Sequence, residues 1–251
     1  MKPNPNGPAD TRMMGILHDA LRRDLIRTRT ALTATNPPAE TQRTAVSDHL
    51  IWLMGFLHYH HGVEDEFLWP LIRRLDPHTG PLLDRMDADH ARISPRIDIL
   101  GNAAFAYRGD DRAATLEAVV TALDGLEDVL LPHLRSEEDE VMPVVSRTIT
   151  RRQWDEWGHE VVKDKPTMEL AREVPWIVDG LDDDRSRVVA DALPAPARFI
   201  LLHAFAGRYR RAAAKRWGPD VDVGPRTSTR RRTAAVRFAP TRGRSGEPST
   251  R

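Results

Sequence analysis

The chain has 251 residues, 40% hydrophobic and 29% charged, with 37 basic and 37 acidic side chains. Balanced charge excludes a uniformly basic nucleic-acid binder, and 251 residues suffice for one sizeable core with an appended region. There is no cysteine, which excludes disulfides, thiolate metal sites, iron–sulfur clusters and cysteine nucleophiles together.

Residues 1–10 hold no apolar signal core and read as a loose leader. The longest apolar run, residues 50–57, is far short of the roughly 20 residues a membrane span needs. Neither secretion nor a membrane anchor is expected, and the expected compartment is the cytoplasm. Residues 11–35 place Met14, Leu17, Leu21, Leu25 and Leu32 at helical steps. Asn36-Pro37-Pro38 stops that helix. A second helix is predicted from near Ala39 to about Phe67, with Pro70 ending or kinking it and Asp76-Pro77 as the turn. A third spans 80–108 with Pro95 inside, and a fourth spans 112–141 with Pro132 inside. Four long helices with short loops are most simply antiparallel neighbours, so the expected fold is all-α, an up-down-up-down four-helix bundle.

Residues 150–218 carry four of the six tryptophans and several short helical patches, and are expected to pack additional helices on the bundle. Residues 219–251 form the expected disordered tail. Within it, positions 224–251 carry eight arginines against the single acid Glu247, a surplus that residues 1–223 offset. A solvated end is the plain reading of this tail. Weak contact with an acidic partner is the sharper one, with no specific nucleic acid expected.

The chemistry lies in an internal repeat of 73 residues. His60 falls on His133, Glu64 on Glu137 and Pro70 on Pro143. Upstream, His18 and His90 match with one residue of slip. Each half therefore reads His, then about 42 residues later His-x-x-x-Glu. Residues four apart share a helix face, so both pairs can point inward. His18 lies between Met14 and Leu21, and His90 between Met86 and Ile93. Six candidate metal ligands converge: His18, His60, Glu64, His90, His133 and Glu137. Imidazole suits iron, copper, nickel and zinc, and carboxylate suits harder ions such as manganese. One octahedral ion could use all six, or two ions could share the carboxylates. His61 with Asp65, and Glu138 beside Glu137, offer competing registers, but the two repeats agree on the set just named. His49, His58, His61, His78, His159 and His203 are assigned no ligand role, although His61 could fill an incomplete site. Asp87, three residues before His90, is a candidate to orient its ring.

These motifs, over residues 11–147 with the following Phe67-Leu68-Trp69-Pro70 and Val141-Met142-Pro143, resemble the hemerythrin-like family in its HHE cation-binding branch. The resemblance implies a four-helix bundle around a non-haem di-iron centre with bridging carboxylates. It implies dioxygen, nitric oxide or peroxide as the small ligand, bound, sensed or chemically turned over. Oxygen-carrying members use five histidines, with a pair four apart on the third helix. Here positions 94 and 86 are Ser94 and Met86. The open position falls to water, Tyr59, His61 or another carboxylate, and more reactive chemistry is expected there. Three readings follow: a binding or sensing module, a di-iron oxidase or peroxidase/catalase-like enzyme, and a metal-stapled interaction protein. Ferritin-like oxidases carry Glu-x-x-His instead, and six ligands make a poor catalytic zinc site.

Overall fold

A computed structural model of the chain describes residues 4–193 and 205–218. Helices α1 (Arg12–Leu32), α2 (Glu40–Val63), α4 (Gly80–Gly109) and α5 (Ala113–Ser136) form the bundle, and the fold is all-α. α2 runs along α4, α4 along α5, and α1 closes the ring against both α5 and α2. The stripe read on the first helix is the buried one: Met14, Leu21, Leu25 and Leu32 all face inward.

Neither Pro70 nor Pro143 ends its helix. In each half the long helix passes through one widened turn, Glu64–Leu68 and Glu137–Val141, and continues as α3 (Trp69–Leu75) or α6 (Met142–Thr148). In these turns the Trp69 and Met142 N–H groups donate to the Glu64 and Glu137 carbonyls five residues back. A proline has no N–H to donate and its ring collides with the carbonyl four residues earlier. A π turn relieves both problems and keeps the axis going. Pro95 and Pro132 lie inside α4 and α5, which continue past them.

The bundle interior has two apolar clusters. The larger includes Leu21, Leu25, Leu53, Leu57, Ile93, Leu100, Leu126 and Leu134. The smaller includes Met14, Leu68, Trp69, Ile72, Met86, Val141 and Val145. On every helix of the bundle the His and Glu residues of the repeat fall between a side chain of one cluster and a side chain of the other. The polar residues thus form one layer between two apolar plugs. Each fully buried Leu or Ile contributes roughly 1.5–3 kcal/mol, so the plugs hold the layer closed.

Beyond the bundle come α7 (Arg151–Lys163), α8 (Thr167–Ile177), α9 (Asp183–Ala192) and α10 (Ala206–Trp217). Thr150 and Gln153 form a capping box at the start of α7. Trp176, Ile177, Leu181, Val189, Ala213 and Trp217 join the larger bundle cluster. The leader is not loose over residues 4–10. The Arg151 and Arg152 N–H groups donate to the Gly7 and Pro5 carbonyls at 2.8 and 2.9 Å, and Ala9 is buried. Backbone pairing of this kind cannot be read from composition. The tail at 219–251 and His203 lie outside the described residues. No helix among the described residues is long and apolar enough to cross a membrane.

Candidate metal centre

His18 comes from α1, His60 and His61 from the last turn of α2, His90 from α4 and His133 from α5, and all are buried. Glu64 and Glu137 open the two π turns and are fully buried. The six residues singled out by the repeat meet in one layer.

The geometry has two poles. At one, His18 Nε2 lies 3.3 Å from His60 Nε2. At the other, His90 Nε2 lies 3.2 Å from His133 Nε2. Glu64 reaches both poles: Oε1 is 3.4 Å from His60 Nε2 and Oε2 is 3.7 Å from His90 Nε2. Glu137 does likewise, with Oε2 3.3 Å from His18 Nε2 and 3.7 Å from His133 Nε2. Donor atoms of His18, His60 and Glu137 lie close enough to hold one cation, and those of His61, His90 and His133 another.

His61 was given no ligand role from sequence, yet it belongs to the second pole. Its ring stacks on His90 with centroids 4.1 Å apart and stands 5.2 Å from His133. Its counterpart in the repeat is Leu134, a core residue. A histidine at the register of a buried leucine was the available signal, because a buried imidazole needs a partner. His61, from the second helix, thus stands beside His90 where the third helix has Ser94 and Met86 at the four-residue steps. Tyr59 is not near it: its hydroxyl donates to the Val161 carbonyl at 2.6 Å, and the ring is exposed.

The outer ring nitrogens are held by carboxylates from the same π turns. His90 Nδ1 lies 2.6 Å from Asp65 Oδ1, and His18 Nδ1 lies 2.8 Å from Glu138 Oε1. Arg22 in turn clamps Glu138 at 2.8 and 3.1 Å. Asp65 and Glu138 each follow the buried glutamate by one residue, and each supports a histidine of the opposite half. Asp87 does not orient His90; it bonds Arg73 at 2.5 Å at the surface. Asp89 Oδ2 stands 3.6 Å from His133 Nδ1, beyond hydrogen-bond reach.

Burial opposes charge on His18, but Glu137 and Glu138 outweigh it and raise its pKa to about 9. Burial holds His60 down to about 3, with His18 adding repulsion. Burial and the neighbouring imidazoles also push His61 well down. His133 is lowered to about 4 by burial, against the pull of Glu137. Glu137, despite burial, is brought down to about 2 by His18 and the other imidazoles, while burial and Glu137 push Glu64 well up. Most of these imidazoles are therefore neutral near pH 7, the form that binds metal.

The donor set fits a metal. All four carboxylate oxygens of Glu64 and Glu137, and His61 Nε2, are buried without a hydrogen-bond partner. Leaving such groups unpaired costs several kcal/mol. Nitrogen and carboxylate oxygen converging in a closed layer is what a borderline divalent cation requires. The family model for the hemerythrin HHE cation binding domain matches residues 11–145, more than half of the chain. No curated protein and no solved structure matches.

Proposed function

The chain belongs to the hemerythrin HHE cation-binding domain family, and from that premise we propose that its His/Glu layer holds a non-haem di-iron centre that binds or senses dioxygen, nitric oxide or a reactive oxygen species. His61, His90 and His133 would hold one iron, and His18 and His60 the other. Glu64 and Glu137 would bridge the pair. Iron, when bound, supplies a redox-active Lewis acid able to take a small ligand at an open position.

The chain's own residues set the rest. The two apolar clusters flank the layer and would keep bulk water from it. Asp65 and Glu138 fix the rings of His90 and His18 and make their inner nitrogens better donors. Three imidazoles at one pole against two at the other make the pair unequal, so the less saturated pole, His18 and His60, is where a small ligand would bind.

One observation carries this reading: the two oxygens of Glu64 address histidines of opposite poles, at 3.4 and 3.7 Å. The test is metal analysis of anaerobically purified protein, followed by its absorption spectrum as air is admitted. Two irons per chain, with charge-transfer bands that persist in air and reverse under vacuum, are expected. Rapid bleaching to a ferric form with peroxide consumed would move the protein to the enzyme reading. One tightly held zinc would sink both.

A further inference from the structure

The last described helix, α10, contains the run Ala212-Ala213-Ala214 and no acidic residue. Alanine and arginine are strong helix formers, and the helical turn sorts the side chains onto two faces. Ala213, Arg216 and Trp217 are buried where α10 packs on the bundle. Arg208, Arg211 and Lys215, at steps of three and four, share the opposite face and are exposed. Arg210 is exposed at its flank.

These four cations form no ion pair among the described residues. Exposed cations on the bundle often do: Arg29 pairs with Asp124 and Glu127, and Arg85 with Glu140. Arg216 is buried against Tyr209 and Trp217 and is no part of the exposed face. The charge is also segregated along the chain. Positions 206–251 carry thirteen basic side chains against three acidic ones, which leaves 24 basic against 34 acidic in positions 1–205. Charges farther off than the Debye length, about 8 Å in physiological salt, are largely screened. An approaching molecule at α10 therefore meets the local positive charge and not the acidic remainder.

The composition of this face selects its partner. A membrane-surface helix needs a free apolar face to bury in lipid, and that of α10 is spent on the bundle. A protein interface needs apolar or aromatic anchors at its centre, and single-stranded nucleic acid needs aromatic rings on which bases stack. Neither is offered here: Trp217 is buried, and the Tyr209 hydroxyl donates to Asp179 at 2.9 Å. What remains is a row of guanidinium and ammonium groups held in line by a rigid helix. Seven residues of helix span roughly 10 Å, over which a DNA duplex presents about six phosphates.

We propose that the exposed face of α10 docks double-stranded DNA through its phosphates, without sequence preference. Arg208, Arg211 and Lys215 meet the backbone, and each phosphate they neutralise releases a condensed counterion. Guanidinium forks suit phosphate oxygens, and contacts to the backbone alone carry no base information. Position 218 ends the helix, and the eight arginines at 226–251 follow it in the chain. Tethered to a helix already on the duplex, they add further phosphate contacts at high effective concentration.

The test titrates a dye-labelled DNA duplex of about two helical turns with the full chain, reading anisotropy from about 50 to 200 mM salt. Binding is expected to weaken steeply with salt and to be equal for two unrelated sequences. Arg208→Gln, Arg211→Gln and Lys215→Gln together keep good helix formers at exposed positions, so circular dichroism should not change. Affinity should fall at least tenfold, and the slope of log K against log salt should become shallower by roughly 2–3. Arg74→Gln, Arg135→Gln and Arg147→Gln together remove the same net charge at exposed positions on other helices and should leave both quantities unchanged. Polyglutamate and phosphatidylserine vesicles should compete more weakly than unlabelled duplex. No binding at the lowest salt, an unchanged slope in the α10 variant, an equal loss in the two triple variants, or stronger competition by polyglutamate or vesicles than by duplex would overturn the proposal.

Discussion

His61 lies face to face with His90, ring centroids 4.1 Å apart and planes 13° from parallel. This pairing breaks the twofold repeat of the bundle, because the equivalent residue in the other half is Leu134. Four histidines and two glutamates are symmetric. The fifth imidazole makes one pole richer than the other.

His61→Leu restores the symmetric arrangement without leaving a cavity. Bound metal is expected to fall to about half, while far-UV circular dichroism stays unchanged. Elemental analysis of the purified variant reads this directly. Metal content equal to the parent would remove His61 from the ligand set.

The carboxylates behind the rings act through the histidines. Asp65→Asn and Glu138→Gln keep shape and remove charge, so each is expected to weaken metal affinity about 10- to 100-fold. Competition against a chelator of known affinity measures it. Asp87→Asn, at a side chain that bonds Arg73 at the surface, should leave affinity unchanged and serves as the control.

His49 gives a pH dependence with a definite sign. Burial lowers its pKa from 6.5 to about 4 in the folded chain, against the pull of Asp24. Between pH 6.5 and 4 the unfolded chain takes up a proton that the folded chain does not, so stability falls as pH drops through that window. The loss attributable to His49 is about 3 kcal/mol. His49→Gln can keep a donor to Asp24 and cannot titrate. Urea unfolding at pH 7 and pH 4.5 should therefore show the parent losing more stability than the variant. Parallel losses would refute the assignment.

Trp176→Phe deletes the indole N–H that donates to Asp24 at 3.0 Å and leaves a small cavity at a fully buried site. A buried carboxylate stripped of one donor costs about 1–3 kcal/mol. The urea midpoint should drop accordingly with the slope unchanged.

Much of the bundle is legible from periodicity alone. The apolar steps from Met14 to Leu32 mark the buried face of α1, and the 73-residue offset brings His60 with Glu64 and His133 with Glu137 into matching places. Those are local facts: a helix turns once every 3.6 residues, so spacing specifies a face before any tertiary contact forms. The proline six residues after each glutamate was visible too. Its consequence was not, since a proline can stop, kink or widen a helix, and the choice depends on what packs beyond it. Here Trp69, Ile72, Met142 and Val145 join one apolar cluster, which favours continuing the axis through a π turn.

Sequence by itself determined the helices, the inward faces, the missing cysteine chemistry and six residues of the buried His/Glu layer, because each follows from spacing and residue type. Tertiary structure alone decided that His61 joins His90, that Asp65 and Glu138 reach across to the opposite half, and that α8 and α10 pack over the α2 face that carries His49. These are meetings between helices distant in the chain. Their distances depend on how whole helices pack, which no local periodicity encodes.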